Sequence, residues 1–115
     1  MATTWTINFQ QGAEFQAEVT VADWPASYPA LSTATSWRLV CAQTCESPFL
    51  TATTSNYITL NVAKTIGTIV IPSSVTATMP LGTATYDLDI LFPGSVTKRL
   101  ISLGQVQVAS YAGAV

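Results

Sequence analysis

Two carboxylates stand two residues apart in the run Tyr86-Asp87-Leu88-Asp89-Ile90, and no other acids in the chain are as well spaced for acid–base work. On an extended strand, residues i and i+2 share a face with Cα atoms roughly 6.5–7 Å apart, a spacing at which two carboxyls can flank a glycosidic bond. The competing reading is structural. A turn at Pro93-Gly94-Ser95 pairs Phe92 with Val96 and sets Asp89 opposite Arg99, so that Asp87 and Asp89 become solvent-facing charges opposite Lys98 and Arg99. Nothing else in the sequence builds a cleft around the two acids, which favours the structural reading. The chain contains no histidine, and so lacks the commonest general base, the commonest zinc ligand and the usual physiological pH switch. Lysine is represented only by Lys64 and Lys98, so Ser, Thr and Cys have no evident activating base. Glycine-rich phosphate loops are absent. These residue types point to no catalytic residue, no metal site and no cofactor.

Cys41 and Cys45 form a C-x-x-x-C. On a continuous strand their Cα atoms would lie about 13 Å apart, beyond disulfide reach, so a bond requires the chain to turn at 44–48. Reduced structural thiols, a small disulfide loop and a functional pair all remain open. Trp24 and Tyr28 lie in the non-periodic stretch DWPASYP, where two large rings could close the end of a sandwich, contact another subunit or bind a glycan. Phe49 ends a second loop at 43–49, and Tyr111 belongs to an apolar, uncharged tail at 110–115 that either docks on a neighbour or frays. Trp24, Tyr28, Phe49 and Tyr111 are therefore the candidate subunit contacts, with the loops at 23–30 and 43–49 and the termini as the contact segments.

The elements that would position these residues are β-strands. The 115 residues suit one domain, 1–115, with a single core. No apolar run approaches the roughly 18 residues of a membrane helix, and the first residues lack the basic and apolar regions of a secretory signal. Only 9% of residues are charged, against about 25% in an average domain. The net charge of −2 offers no electrostatic footprint for nucleic acid. With a mean hydropathy of +0.39, the polar surface must come from eighteen threonines and ten serines, a composition that favours burial against other subunits.

Val, Ile and Thr make up about 30% of the chain, a β-branched load expected of strands. Alternation places them at 4–10, 14–21, 36–41, 57–62 and 68–71, with a short edge strand at 49–53 and a break at Ile66-Gly67. Residues 84–92 read as the clearest strand, with Tyr86, Leu88, Ile90 and Phe92 inward. The return strand at 96–103 bends at Gly104 and continues to 108. Residues 73–79 hold the one helical candidate, a single turn stopped by Pro80. The inner face is expected on Phe9, Phe15, Trp37, Leu39, Leu60, Ile69, Tyr86, Leu88, Ile90 and Leu100, with Ile58 and Val62 in phase with Leu60. The fold class is all-β: an antiparallel, two-sheet, immunoglobulin-like sandwich of seven or eight strands with at most one helical turn. Tyr86, which follows the one-turn corner, fits either a tyrosine corner or an ordinary core aromatic.

Five short motifs carry a resemblance across nearly the whole chain. They are Gln11-Gly12-Ala13-Glu14-Phe15, Trp37-Arg38-Leu39-Val40, Thr76-Ala77-Thr78-Met79, Tyr86-Asp87-Leu88-Asp89-Ile90, and Lys98-Arg99-Leu100-Ile101 with Gly104-Gln105-Val106-Gln107-Val108. Their order resembles small immunoglobulin-like structural proteins of tailed bacteriophages, from which the chain departs by an extra Leu103, the C-x-x-x-C and the two-proline loop. The resemblance implies a non-enzymatic virion component at a baseplate, tail or fibre attachment site, assembled in the host cytoplasm. Its partners would be copies of itself and other virion proteins, with no nucleic acid and no membrane. A capsid decoration protein and a receptor- or glycan-binding β-sandwich domain are the alternatives.

Overall fold

The computed structural model describes residues 6–21, 24–44 and 46–110, with the side chains of 102 and 103 outside the description. Eight strands run in chain order as β1 (Ile7–Gln10), β2 (Phe15–Thr20), β3 (Ser36–Ala42), β4 (Leu50–Thr53), β5 (Ile58–Leu60), β6 (Ile66–Ile71), β7 (Gly82–Phe92) and β8 (Val96–Ala109). One helical turn, α1 (Ser73–Thr76), fills the corner between β6 and β7, and a turn of 3-10 helix at Leu31–Thr33 lies in the segment before β3. The strands form two layers, β1-β8-β7-β3-β4 and β2-β6-β5. Placing β2, β6 and β5 in one sheet against β3, β7 and β8 in the other gives the immunoglobulin-like arrangement, with β4 as the additional edge strand.

The pairing is antiparallel except at β1, which lies parallel to β8 with Ile7 beside Val106 and Phe9 beside Val108. The sandwich is thus antiparallel as expected, with this one parallel pair at its edge. β1 and β2 belong to different sheets, so the turn between them, with Gly12 at φ 78, carries the chain across the sandwich rather than closing a hairpin. β1 and β8 travel toward the same end, and an edge strand running that way can join β8 only in parallel.

The core lies between the layers. Phe9, Trp37, Leu39, Ile69, Tyr86, Leu88, Ile90 and Leu100 are buried as their phase requires, while Phe15 and Leu60 are half-buried and pack against them. Val62 departs from its expected inward position and is fully exposed, because β5 ends at Leu60 and the chain turns before it. Gly67 does not break its strand: β6 is continuous across it, paired with Val19 on one side and Leu60 on the other. Glycine is required there because the Trp37 indole crosses from β3 to lie on the β6 backbone. A Cβ at residue 67 would sit 2.7 Å from Trp37 Cζ3.

Gly104 has the same function within one sheet. Its partner across the ladder is Tyr86, whose ring lies so close that a Cβ at 104 would approach it to 2.2 Å. The expected bend takes the form of two register shifts beside this contact, one between Tyr86 and Leu88 and the next between Leu88 and Asp89. The extra β8 residues fall among 100–103, and this irregularity lets both Leu100 and Ile101 point into apolar surroundings.

Two substitutions test this packing. Leu88→Ala should lower unfolding free energy by about 2–5 kcal/mol, and a loss below about 1 kcal/mol would mean the inner face of β7 is misassigned. Gly67→Ala should lower it by about 1–3 kcal/mol, because neither the indole nor the strand can yield freely. Urea titration followed by far-UV dichroism measures both.

Candidate functional site

The two acids singled out for chemistry sit on the outer face of the five-stranded sheet, and their neighbours decide what they can do. β7 is the middle strand, so residues from both sides reach over it. Register places Arg38 of β3 and Arg99 of β8 on either side of Asp89. Arg99 Nε donates to Asp89 Oδ1 at 2.8 Å, while Nη2 of Arg38 and Nη2 of Arg99 donate to Oδ2 at 3.1 and 3.3 Å. Arg99 Nη1 also stands 3.7 Å from Asp87 Oδ2. The expected pairing of Asp89 with Arg99 is present, but Asp89 is not solvent-facing: its side chain is 2% exposed beneath two guanidiniums that are 38% and 51% exposed. Arg38 gave no sign of this role in the sequence, since only the strand order brings β3 beside β7.

Burial alone would raise the Asp89 pKa. Hydrogen bonds from Arg99 and then Arg38, together with their charges, outweigh that desolvation and hold the carboxyl below its ordinary value. The Asp89 hydrogen bond in turn raises Arg99. A carboxylate with both oxygens engaged and its proton affinity lowered is poorly suited to donate a proton as a general acid near neutral pH. The two acids and two arginines form an ion-pair ladder that ties three strands together.

The remaining cations are also engaged. Lys64 Nζ donates to the Ala34 carbonyl at 2.7 Å, and Lys98 Nζ lies 4.4 Å from the centre of the Tyr28 ring. Each of the four basic side chains therefore has at least one partner within the chain, although Arg38 Nε is buried without one.

The proline-loop aromatics form a lid. Trp24 Nε1 donates to the Pro29 carbonyl at 2.8 Å, and its half-buried ring meets Tyr28 edge-on at 5.2 Å and Phe92 at 6.0 Å. Tyr28 thus bridges Trp24 and Lys98 across the end where β7 turns into β8. Phe49 stands at the opposite end, half-buried against the core, with its backbone N–H bonded to the Cys41 carbonyl. Trp24 and Tyr28 share one cluster, and Phe49 is separate from it. Tyr111 lies outside the described residues.

Cys41 is fully buried in β3 with a free thiol, and burial pushes its pKa up to about 12. Cys45 lies outside the described residues. Two of the sequence motifs meet at the Phe49 end. Gln11 Nε2 donates to the Met79 carbonyl at 2.7 Å, and the buried Thr76 hydroxyl donates to the Ala13 carbonyl at 2.8 Å. An open groove of about 370 Å³ follows residues 54–59 beside Val70, and none of the sequence-derived candidates lines it.

No family model and no curated protein sequence matches the chain. Among solved structures, it is similar to the immunoglobulin-like domain of mouse leukocyte-associated immunoglobulin-like receptor 1, crystallised as a strand-swapped dimer. That match has 16% identity, 90% of this chain and 86% of that chain covered, and a TM-score of 0.49.

The Asp89 pKa is lower folded than unfolded, so its contribution to stability is complete above about pH 4 and lost as pH falls through the folded value. Asp89→Asn should cost about 1–3 kcal/mol at pH 7, moderated by water around the half-exposed arginines. The two proteins should converge in acid, and parallel urea curves at pH 7 and pH 2.5 would refute the ladder's role. In a Cys45→Ser variant the remaining thiol should resist an aromatic disulfide reagent at pH 8 until denaturant is added, because the thiolate is disfavoured and enclosed. Fast labelling of the native variant would show Cys41 to be accessible.

Proposed function

We propose that the chain is a non-enzymatic structural module that works through subunit–subunit contacts, as a baseplate, tail or fibre-attachment component of a tailed-phage particle. The carrying observation is that every basic side chain is engaged within the molecule. No free cation is left among the described residues to attract an acidic ligand, in a chain that is 9% charged and rich in threonine and serine. Such an exterior gains more from association than from exposure to water.

The motif order supports the placement in a phage particle. Gln11 and Ala13 of the first motif are bonded to Met79 and Thr76 of the third, and the fourth and fifth motifs supply Asp89 and Arg99 of the ladder. The motifs are thus read as the framework of a rigid assembly block, with partner contacts left to the loops. A glycan-binding role would need a ring free to stack on a sugar, whereas Trp24 gives its ring to Phe92 and its N–H to Pro29.

Sedimentation velocity on the purified chain, combined with protein analysis of purified particles, tests the proposal. The expected result is a defined oligomer whose population grows with concentration, and the same chain present in the particle. A chain that stays monomeric at high concentration and is missing from particles would overturn it.

A further inference from the structure

The groove along 54–59 belongs to neither the ion-pair ladder nor the ring cluster, and it opens on the outer face of the three-stranded sheet. Ile58 points inward and is buried, so its neighbours Tyr57 and Thr59 point outward. Register lays two rows across this face. Val70 stands between Gln16 of β2 and Tyr57, whose carbonyl accepts from the Val70 N–H at 2.8 Å, and Thr68 stands between Glu18 and Thr59. Strands about 4.8 Å apart make each row about 10 Å long, the span of about two linked sugar rings. The wall of the groove is held by its own bonds. Asn56 Oδ1 accepts from the Thr53 N–H at 2.9 Å, and Thr54 Oγ1 donates to Ser36 Oγ at 3.0 Å. The Ile58 N–H bonds to the Asn56 carbonyl around Tyr57, which sits at φ 41, a left-handed conformation unusual for a bulky side chain. That turn leaves Ser55 Oγ, Asn56 Nδ2, Tyr57 Oη and Thr59 Oγ1 without a hydrogen-bond partner among the described residues.

We propose that this groove binds a neutral saccharide, with the Tyr57 ring against the apolar face of a sugar and the four unpartnered polar groups bonding its hydroxyls. The residue types select the class. Hydroxyl groups both donate and accept, as sugar hydroxyls do, and the Asn56 amide adds two donors. Tyr57 brings an apolar body with a polar tip, and it is half-buried with no aromatic partner among the described residues. The Trp24 ring is committed to the lid, so Tyr57 supplies what that ring cannot. No residue lining the groove is charged, and exposed Glu18 shares the face, which disfavours acidic sugars and phosphates. A volume of about 370 Å³ is in the range of small-molecule sites. The site is open on one side, so affinity is weak, with a Kd of about 1 mM. The inference goes beyond the assembly role and does not depend on it.

Amide chemical shifts of the isotope-labelled chain test it, in separate titrations with maltotriose, cellotriose and chitotriose, and with sialyllactose as the acidic comparison. At least one neutral trisaccharide should shift the amides of 54–59 and 70 saturably, with a Kd of about 1 mM, and sialyllactose should not. Tyr57→Ala should weaken that binding about tenfold through loss of the ring contact. Thr59→Glu carries a long charged side chain into the groove from an exposed position and should abolish binding, with far-UV dichroism checking that each variant is folded. If Tyr57→Ala fails to fold, Thr59→Glu decides alone. Three results would each overturn the site: no saturable shift in this segment with any neutral trisaccharide up to about 20 mM, about twenty times the expected Kd; equal binding of sialyllactose; or a folded Thr59→Glu that binds as wild type does. None of them bears on the oligomeric state, so sedimentation decides the assembly role separately.

Discussion

The sandwich depends on one crossing: the Trp37 indole leaves β3, passes through the interior and rests on the backbone of β6 at Gly67. A side chain of that size fills the gap between layers about 10 Å apart, and it can do so only where the facing strand has no Cβ. The contact therefore sets the spacing of the sheets and the alignment of β6 opposite β3. Leu39, Ile69, Leu88 and Ile90 are all fully buried in the interior so defined. The Tyr86–Gly104 contact repeats the arrangement within one sheet, with the ring lying over a glycine of the adjacent strand. Both contacts trade a side chain on one strand for a large ring on another, and both make glycine irreplaceable inside a strand.

The same economy governs charge. A chain with ten formally charged side chains places two acids and both arginines in a single ladder across β3, β7 and β8. Burying Asp89 would be unfavourable alone, and two arginines that remain partly in water can neutralise it without being desolvated themselves. The consequence for function is subtractive. Groups that could have bound an anion or moved a proton are committed to holding strands.

Those ends are built differently. At the Phe49 end, side chains bond backbone carbonyls across elements: Gln11 to Met79, Thr76 to Ala13 and Gln43 to Leu81. At the other end, bonds of the same kind, Lys64 to Ala34 and Thr35 to Leu91, are joined by ring contacts and a cation among Trp24, Tyr28, Phe92 and Lys98. The hydrogen bonds at both ends are directional, and the ring contacts added at the second tolerate small rotations.

Alternation of side chains determined most of the strands by itself, because a period of two survives in any sheet with one buried face. It located the inward faces of β1, β3, β6 and β7, the 93–95 turn and the Asp89–Arg99 register, since a three-residue hairpin leaves little choice of pairing. It also marked Trp24 and Tyr28 as exceptional without showing which way they turn. Tertiary structure decided everything that depends on a neighbour distant in sequence. Gly67 reads locally as a break, and only the indole approaching from another sheet makes it the middle of a strand. Asp89 reads as an outward residue, and only strand order supplies Arg38, fifty-one residues away, to cover it. β1 reads only as an alternating strand, and only the closure of two layers sends it to lie parallel to β8. Local periodicity records which face of a strand is dry; it carries no information about which other strand makes it so.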